Sequence, residues 1–223
     1  MKYEFVPGDE ITITPGRTVK RIRALVAIAA FGVTPGDLGG YIEQEKNLAQ
    51  VSGNAWVSGN AQVYGDAQVS GNAWVSGNAW VSGNAWVSGD AQVYGDAQVY
   101  GDAQVYGDAQ VYGDARVSGD AQVYGDAQVY GDAQVYGNAQ VYGNAQVSGN
   151  GLIFWASKVG TENGTLTVYN TKNNELGVTR GCFKGTPSEF LAKSAQVHDE
   201  QTHREYQLLI EVATSRITRA RGK

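Results

Sequence analysis

From Ala49 to Asn150 the chain repeats every six residues with no insertion, and few folds can absorb that pattern. Seventeen hexads read Ala, then Gln or Trp (once Arg), then Val, then Ser or Tyr, then Gly, then Asp or Asn. Within a hexad the Ala-x-Val-y stretch is a short strand whose side chains alternate between two faces. Ala and Val share one face, and their small apolar character marks it as interior. The x and y residues point outward. Gly followed by Asp or Asn then turns the chain, because both types tolerate positive φ. With three such corners per coil, residues eighteen apart stack about 4.8 Å apart, and the hexads make roughly 27 Å of solenoid.

Composition removes the alternatives. Charged residues are 17% of the chain and glycines number 30, which excludes a helical bundle or coiled coil. The net charge of −5 argues against direct binding to a nucleic-acid backbone. Cys182 is the only cysteine and His198 and His203 the only histidines, so a disulfide, a cysteine-based zinc cluster and most general-base chemistry are unavailable. The longest apolar run, Ala24 to Ala30 extended to Val33, is too short to span a bilayer and does not follow a cationic start. The expectation is a cytoplasmic chain with no membrane partner, no cofactor and no metal.

The flanks supply the ends that an open coil needs. Residues 1–48 form an N-terminal β cap, with strands expected over Glu10–Thr14 and Thr18–Ile28 before the turn-rich Pro35-Gly36-Asp37. Residues 49–150 are the hexapeptide solenoid, and residues 151–223 a small α+β unit. In that unit Thr165–Asn170 and Leu176–Phe183 read as a hairpin around Lys172-Asn173-Asn174. Thr186-Pro187-Ser188-Glu189 and Thr202-His203-Arg204-Glu205 read as capping boxes that open two helices. The second helix carries Tyr206, Leu209, Ala213 and Ile217 along one face.

The hexad resembles the repeat of bacterial acyltransferases such as the UDP-N-acetylglucosamine acyltransferases, which implies a left-handed parallel β-helix. The hand is what the resemblance implies; the usual crossover rule would give the opposite one. Asp37-Leu38-Gly39-Gly40-Tyr41-Ile42-Glu43 ahead of the hexads, and Thr179-Arg180-Gly181-Cys182-Phe183 with the Tyr206–Ile217 helix behind them, resemble phage- and prophage-encoded hexapeptide-repeat proteins. That resemblance implies a fold and a phage origin more than an activity, and the wider β-helix family implies an oligomer, commonly a homotrimer. Acyltransferases of this kind use a histidine on the solenoid and loops inserted between hexads. Neither occurs here, so the expectation is a protein that is not an enzyme and has no catalytic residues.

The outward positions carry what is left. Trp56, Trp74, Trp80 and Trp86 are each followed two residues later by Ser, and every Tyr in the hexads is preceded by Gln two residues earlier. Trp74, Trp80 and Trp86 fall in consecutive hexads and are expected to ring one coil, one per face. With the Tyr206, Leu209 and Ile217 helix face, these tryptophans form the expected partner surface. Trp80, Gln98, Arg116 and Gln134 recur at eighteen-residue intervals, so they line up in one column. Trp80, Gln98, Tyr100 and Arg116 are the candidate ligand site, with Trp as stacking surface and Arg as phosphate fork.

Nine corner Asp residues and Arg116 leave the hexads at −8 and the flanks at +3. That density, about one charge per 3 Å against one per 1.7 Å in duplex DNA, is thin for an acidic nucleic-acid mimic. The leading expectation is a structural or interaction module that binds copies of itself. The alternatives are a sequestering protein for a small anionic ligand such as a nucleotide signal, then the mimic, then an acyltransferase.

Overall fold

The computed structural model describes residues 1–14 and 16–222; Lys223, the last residue of the C-terminal unit, lies outside them. The hexads form a parallel β-solenoid of about six turns. Its strands, β4 (Trp56–Val57) through β19 (Gln146–Val147), are short and fall on three ladders. Each rung pairs with the one eighteen residues on, as Gln98 with Arg116 and Val99 with Val117. The inward assignment holds for every Ala and Val from Ala55 to Val147, all buried. Gly95 shows why the corner takes glycine. Its φ is +73°, and a Cβ there would lie 3.0 Å from the backbone nitrogen of Gly113 in the next coil.

The first hexad departs from this pattern. Val51 is 98% exposed, and its place over Val69 is taken by Leu48, which is fully buried and bridges to Val69 in parallel. The Ala49 nitrogen donates to the Val69 oxygen, whereas regular pairing would give Ser52 that role. Residues 50–52 therefore bulge out of the coil, and the chain rejoins it at Gly53 and Asn54, whose side-chain amide donates to the Asn72 side-chain oxygen. Gln50 explains the diversion, because its Oε1 accepts from the Lys2 nitrogen at 2.8 Å and its Nε2 donates to the Tyr3 oxygen at 3.2 Å. It fastens the bulge to the cap. Sixteen hexads, not seventeen, build the interior.

The N-terminal cap is a hairpin, β1 (Tyr3–Thr14) and β2 (Arg17–Ala24), followed by β3 (Leu38–Ile42). β1 begins seven residues earlier than expected and β2 ends four residues sooner, with Ile28 instead bridging Val33. β2 and β3 pair antiparallel, and β3 then continues the ladder in parallel with Gln62 and Val63. Tyr3, Ile22, Leu48 and Trp56 plug the open end of the coil, and the Tyr3 hydroxyl donates to the Leu48 oxygen at 3.0 Å.

At the other end β20 (Ile153–Val159), β21 (Gly164–Asn170), β22 (Leu176–Arg180) and β23 (Phe183–Gly185) form an antiparallel sheet. The expected hairpin arm to Phe183 breaks at Gly181, which turns with φ +57° and starts β23. Helix α1 (Pro187–Val197) carries the expected Thr186–Glu189 capping box. Helix α2 (Glu200–Arg221) starts earlier than its second box suggested, because the Asp199 side chain accepts from the Thr202 nitrogen. No helix of the described residues is long and apolar enough to cross a membrane.

Candidate binding face of the solenoid

Three ladders make three outward faces, and two of them are regular. On one, Tyr94, Tyr112 and Tyr130 stack with ring centroids 4.8 and 4.9 Å apart and planes within 4°. On another, Tyr106 and Tyr124 stack at 4.9 Å, Tyr142 continues the column with its ring tilted 43° to Tyr124, and the Lys184 ammonium lies 4.0 Å over the Tyr142 ring. Burial and the adjacent phenols push the Tyr124 hydroxyl up to about 12. These faces are held by stacked rings and are closed to an added ring.

The third face is broken. Its first outward column runs Gln62, Trp80, Gln98, Arg116, Gln134, in the order that the eighteen-residue spacing predicts. Its second column alternates Tyr64, Ser82, Tyr100, Ser118, Tyr136, so no two tyrosines are adjacent. Trp80 is 44% exposed, Tyr100 40%, Gln98 half-buried and Arg116 exposed. Arg116 forms no ion pair among the described residues. Both ends of the column meet the caps. Arg17 of β2 lies 5.7 Å over the Tyr64 ring and is paired with Glu43. At the far end Tyr136 meets Trp155 of β20 edge-on, centroids 4.4 Å apart. Gln134, Tyr136, Phe154, Trp155 and Arg216 line a cavity of about 460 Å³ there.

The expected partner surface is largely spent inside the chain. Trp56 and Trp74 pair in register, but Trp56 is buried against the N-terminal cap and Phe31 stacks on Trp74 at 5.3 Å. Only Trp80 and Trp86 (49% exposed) remain open from the ring of tryptophans, on adjacent faces. Tyr206 and Ile217 are fully buried and Leu209 half-buried, because this stripe of α2 packs on Val159, Leu166, Val168 and Val178 of its own sheet. Burial there releases apolar area to no partner.

The sequence held no hint of a paired serine and histidine, yet Ser194 Oγ and His203 Nδ1 sit 3.2 Å apart between α1 and α2. Ser194 is buried, and the other imidazole nitrogen meets the Gln207 amide, not a carboxylate. The contact clasps the two helices and lacks the acid that orients a catalytic histidine. His198 lies against the Tyr206 ring. Corner residues also join between coils: the Asn72, Asn78 and Asn84 amides donate to Asp90, Asp96 and Asp102. Three of the nine corner carboxylates are thus hydrogen-bonded by the coil before, which weakens the case for a phosphate mimic.

The geometry defines a parallel β-solenoid with a closed cap at each end. Nine stretches match the family model described as the YdcK beta solenoid repeat: residues 49–65, 61–77, 67–83, 73–89, 91–107, 109–125, 121–137, 127–143 and 133–149. The hexads are thus β-solenoid repeats of that kind, and all nine stretches lie within the hexad region. A comparison with curated proteins finds no match.

Proposed function

We propose that the chain is a non-catalytic interaction module of phage or prophage origin, working in the host cytosol as an oligomer, most simply a homotrimer. The observation that carries this reading is the pairing of two closed ends with open sides. End-to-end growth is blocked by the caps, while Trp80 and Trp86 stand exposed on adjacent faces. Lateral association through those faces is the arrangement left. The left hand of the coil, and the likeness of its hexads to the acyltransferase repeat, belong to the same reading. The absence of histidine from the hexads removes the base that acyl transfer would use. Light scattering on the full chain at micromolar concentration is the test. A mass near three times 23.8 kDa supports the homotrimer, and a monomer overturns it.

A second reading, capture of a small anionic ligand such as a nucleotide, is favoured by Arg116, the one cation in the hexads and one without an ion pair among the described residues. Trp80 and Arg116 are two rungs apart, about 9.6 Å, with Gln98 between them in register. Calorimetric titration with mono-, di- and cyclic nucleotides tests it. Binding weakened by Arg116→Ala and by Trp80→Ala supports the column; binding to none overturns it.

A further inference from the structure

The tyrosine ladders contain one gap that crowding by tryptophan leaves unexplained. In the nine hexads from Ala91 to Asn144 the second outward residue is Tyr every time except Ser118, and the first is Gln every time except Arg116. Both exceptions fall on one rung. Ser58, Ser76, Ser82 and Ser88 each follow a Trp that fills the space beside them. Ser118 follows an arginine, in the middle of the tyrosine block.

The neighbouring face measures what the gap can hold. There Tyr94 and Tyr130 are two rungs apart, and a single ring, Tyr112, fits between them with centroids 4.8 and 4.9 Å away. Tyr100 and Tyr136 are also two rungs apart, about 9.6 Å, and between them is only the Ser118 hydroxymethyl. The same interval with its middle ring removed is a slot one aromatic ring thick. Tyr100 and Tyr136 are 40% and 50% exposed, so both walls are open to solvent. Trp155 braces Tyr136 from beyond, edge to face, which holds that wall upright before anything binds. Arg116 opens the two-residue strand that runs into Ser118, and it is the exposed outward residue of that rung, with forked donors suited to an anion.

We infer that the slot over Ser118 binds a planar aromatic ring carrying a phosphate or carboxylate. The ring takes the place of the missing tyrosine between Tyr100 and Tyr136, and the anionic group meets Arg116. This rests on the anion-capture reading and narrows it, moving the stacking surface from Trp80 to the two tyrosines. The slot excludes non-planar anions, which fill no stacking interval, and uncharged rings leave Arg116 without a partner.

The decisive variant is Ser118→Tyr, which completes the ladder with a residue that the solenoid already carries at this position in nine hexads. Wild-type protein is titrated with adenosine monophosphate, 2-naphthoate, adenosine and ribose 5-phosphate. The first two are expected to bind at least 10-fold more tightly than the last two, which each lack one half of the ligand. Ser118→Tyr is expected to abolish that binding and to raise the melting temperature by a few degrees. Arg116→Gln, which restores the prevailing hexad, is expected to bring adenosine monophosphate down to the affinity of adenosine. Unchanged binding in Ser118→Tyr, combined with loss in Trp80→Ala, removes the slot and leaves the Trp80–Arg116 column standing. No binding of either aromatic anion to the wild-type chain overturns both.

Discussion

The two ends of the solenoid are closed by different means. At the N-terminal end the cap joins the coil. β3 pairs as a further rung, the Tyr41 and Glu43 nitrogens donate to the Ala61 and Val63 oxygens, and Leu48 stands in the interior column. At the C-terminal end a sheet lies across the last coil and is tied to it mainly by side chains. The Thr167 hydroxyl accepts from the Gln140 nitrogen, the Thr179 hydroxyl donates to the Gln140 oxygen at 2.7 Å, and the Asn170 amide reaches the Gln146 oxygen. One end extends the nearest-neighbour stack, while the other is an adapter that satisfies the stack's last polar groups. Damage at the first should spread through the coil, and damage at the second should stay local.

The middle of the stack sets the upper bound for that comparison. Val111 is fully buried between Val93 and Val129. Val111→Asp places an unpaired charge there, and a loss beyond about 4 kcal/mol is expected, enough to split the solenoid. Circular dichroism melting checks it; an unchanged melt would mean that the inward column is misassigned. Trp56→Ala comes next. It empties the N-terminal plug beside Ile22 and Gly39, with an expected cost of about 3–5 kcal/mol. If the comparison holds, hydrogen exchange accelerates well into the coil and not merely in the cap.

How far the molecule could be read in advance follows the same division between stack and ends. Periodicity placed the three faces, the rungs and the Trp80–Gln98–Arg116 column, because each depends only on contacts with residues eighteen away. It failed at Val51, whose hexad is perfect but whose coil is already occupied by Leu48 and whose neighbour Gln50 is held by the cap. The tryptophans ring one coil, one per face, as the spacing predicts, but their exposure could not be read from it. Phe31 covers Trp74 and the N-terminal plug buries Trp56, and no local pattern announces either contact. The gap at Ser118 is present in the repeat, but the Trp155 brace that makes it a walled slot arises from a strand after the hexads end.

Lys2 provides a pH test of the N-terminal cap. Its side chain is buried, its ammonium has no hydrogen-bond partner among the described residues, and burial lowers its pKa from 10.5 to about 8. A lysine lowered in the folded state loses its proton there before the unfolded chain does. The cost of burying the charge is therefore fully present below pH 8, and stability rises as the pH climbs from 8 toward 10.5. Lys2→Met is expected to stabilise the chain at pH 7 by about 1–3 kcal/mol and to flatten that rise. Denaturant unfolding at pH 7 and pH 9.5 measures both effects; a destabilised Lys2→Met would show that the ammonium has a partner after all. At the opposite end Thr179→Val removes one hydroxyl donor to Gln140 at an expected cost of about 1 kcal/mol. Faster exchange is expected only around the last coil, and a global fall in stability would contradict the adapter role.

The smallest expected effect is the sharpest contrast. Val51 and Val111 occupy the same hexad position, preceded by Gln and inside the same Ala-Gln-Val sequence. Residue pattern alone assigns them one environment, yet Val51 is 98% exposed and Val111 fully buried. Val51→Asp puts its charge into solvent on a bulge whose attachment to the cap runs through Gln50, so no buried contact is lost and no polar group is stranded. The expected change is within about 0.5 kcal/mol, the usual range for exposed positions away from special features. Gln50→Ala supplies the complement, because it removes the acceptor for the Lys2 nitrogen and should cost about 1–2 kcal/mol. Measured side by side in urea, near-neutral Val51→Asp with costly Gln50→Ala places the first hexad in the cap. A Val51→Asp loss approaching that of Val111→Asp would return it to the coil, and the N-terminal end would then begin one rung earlier.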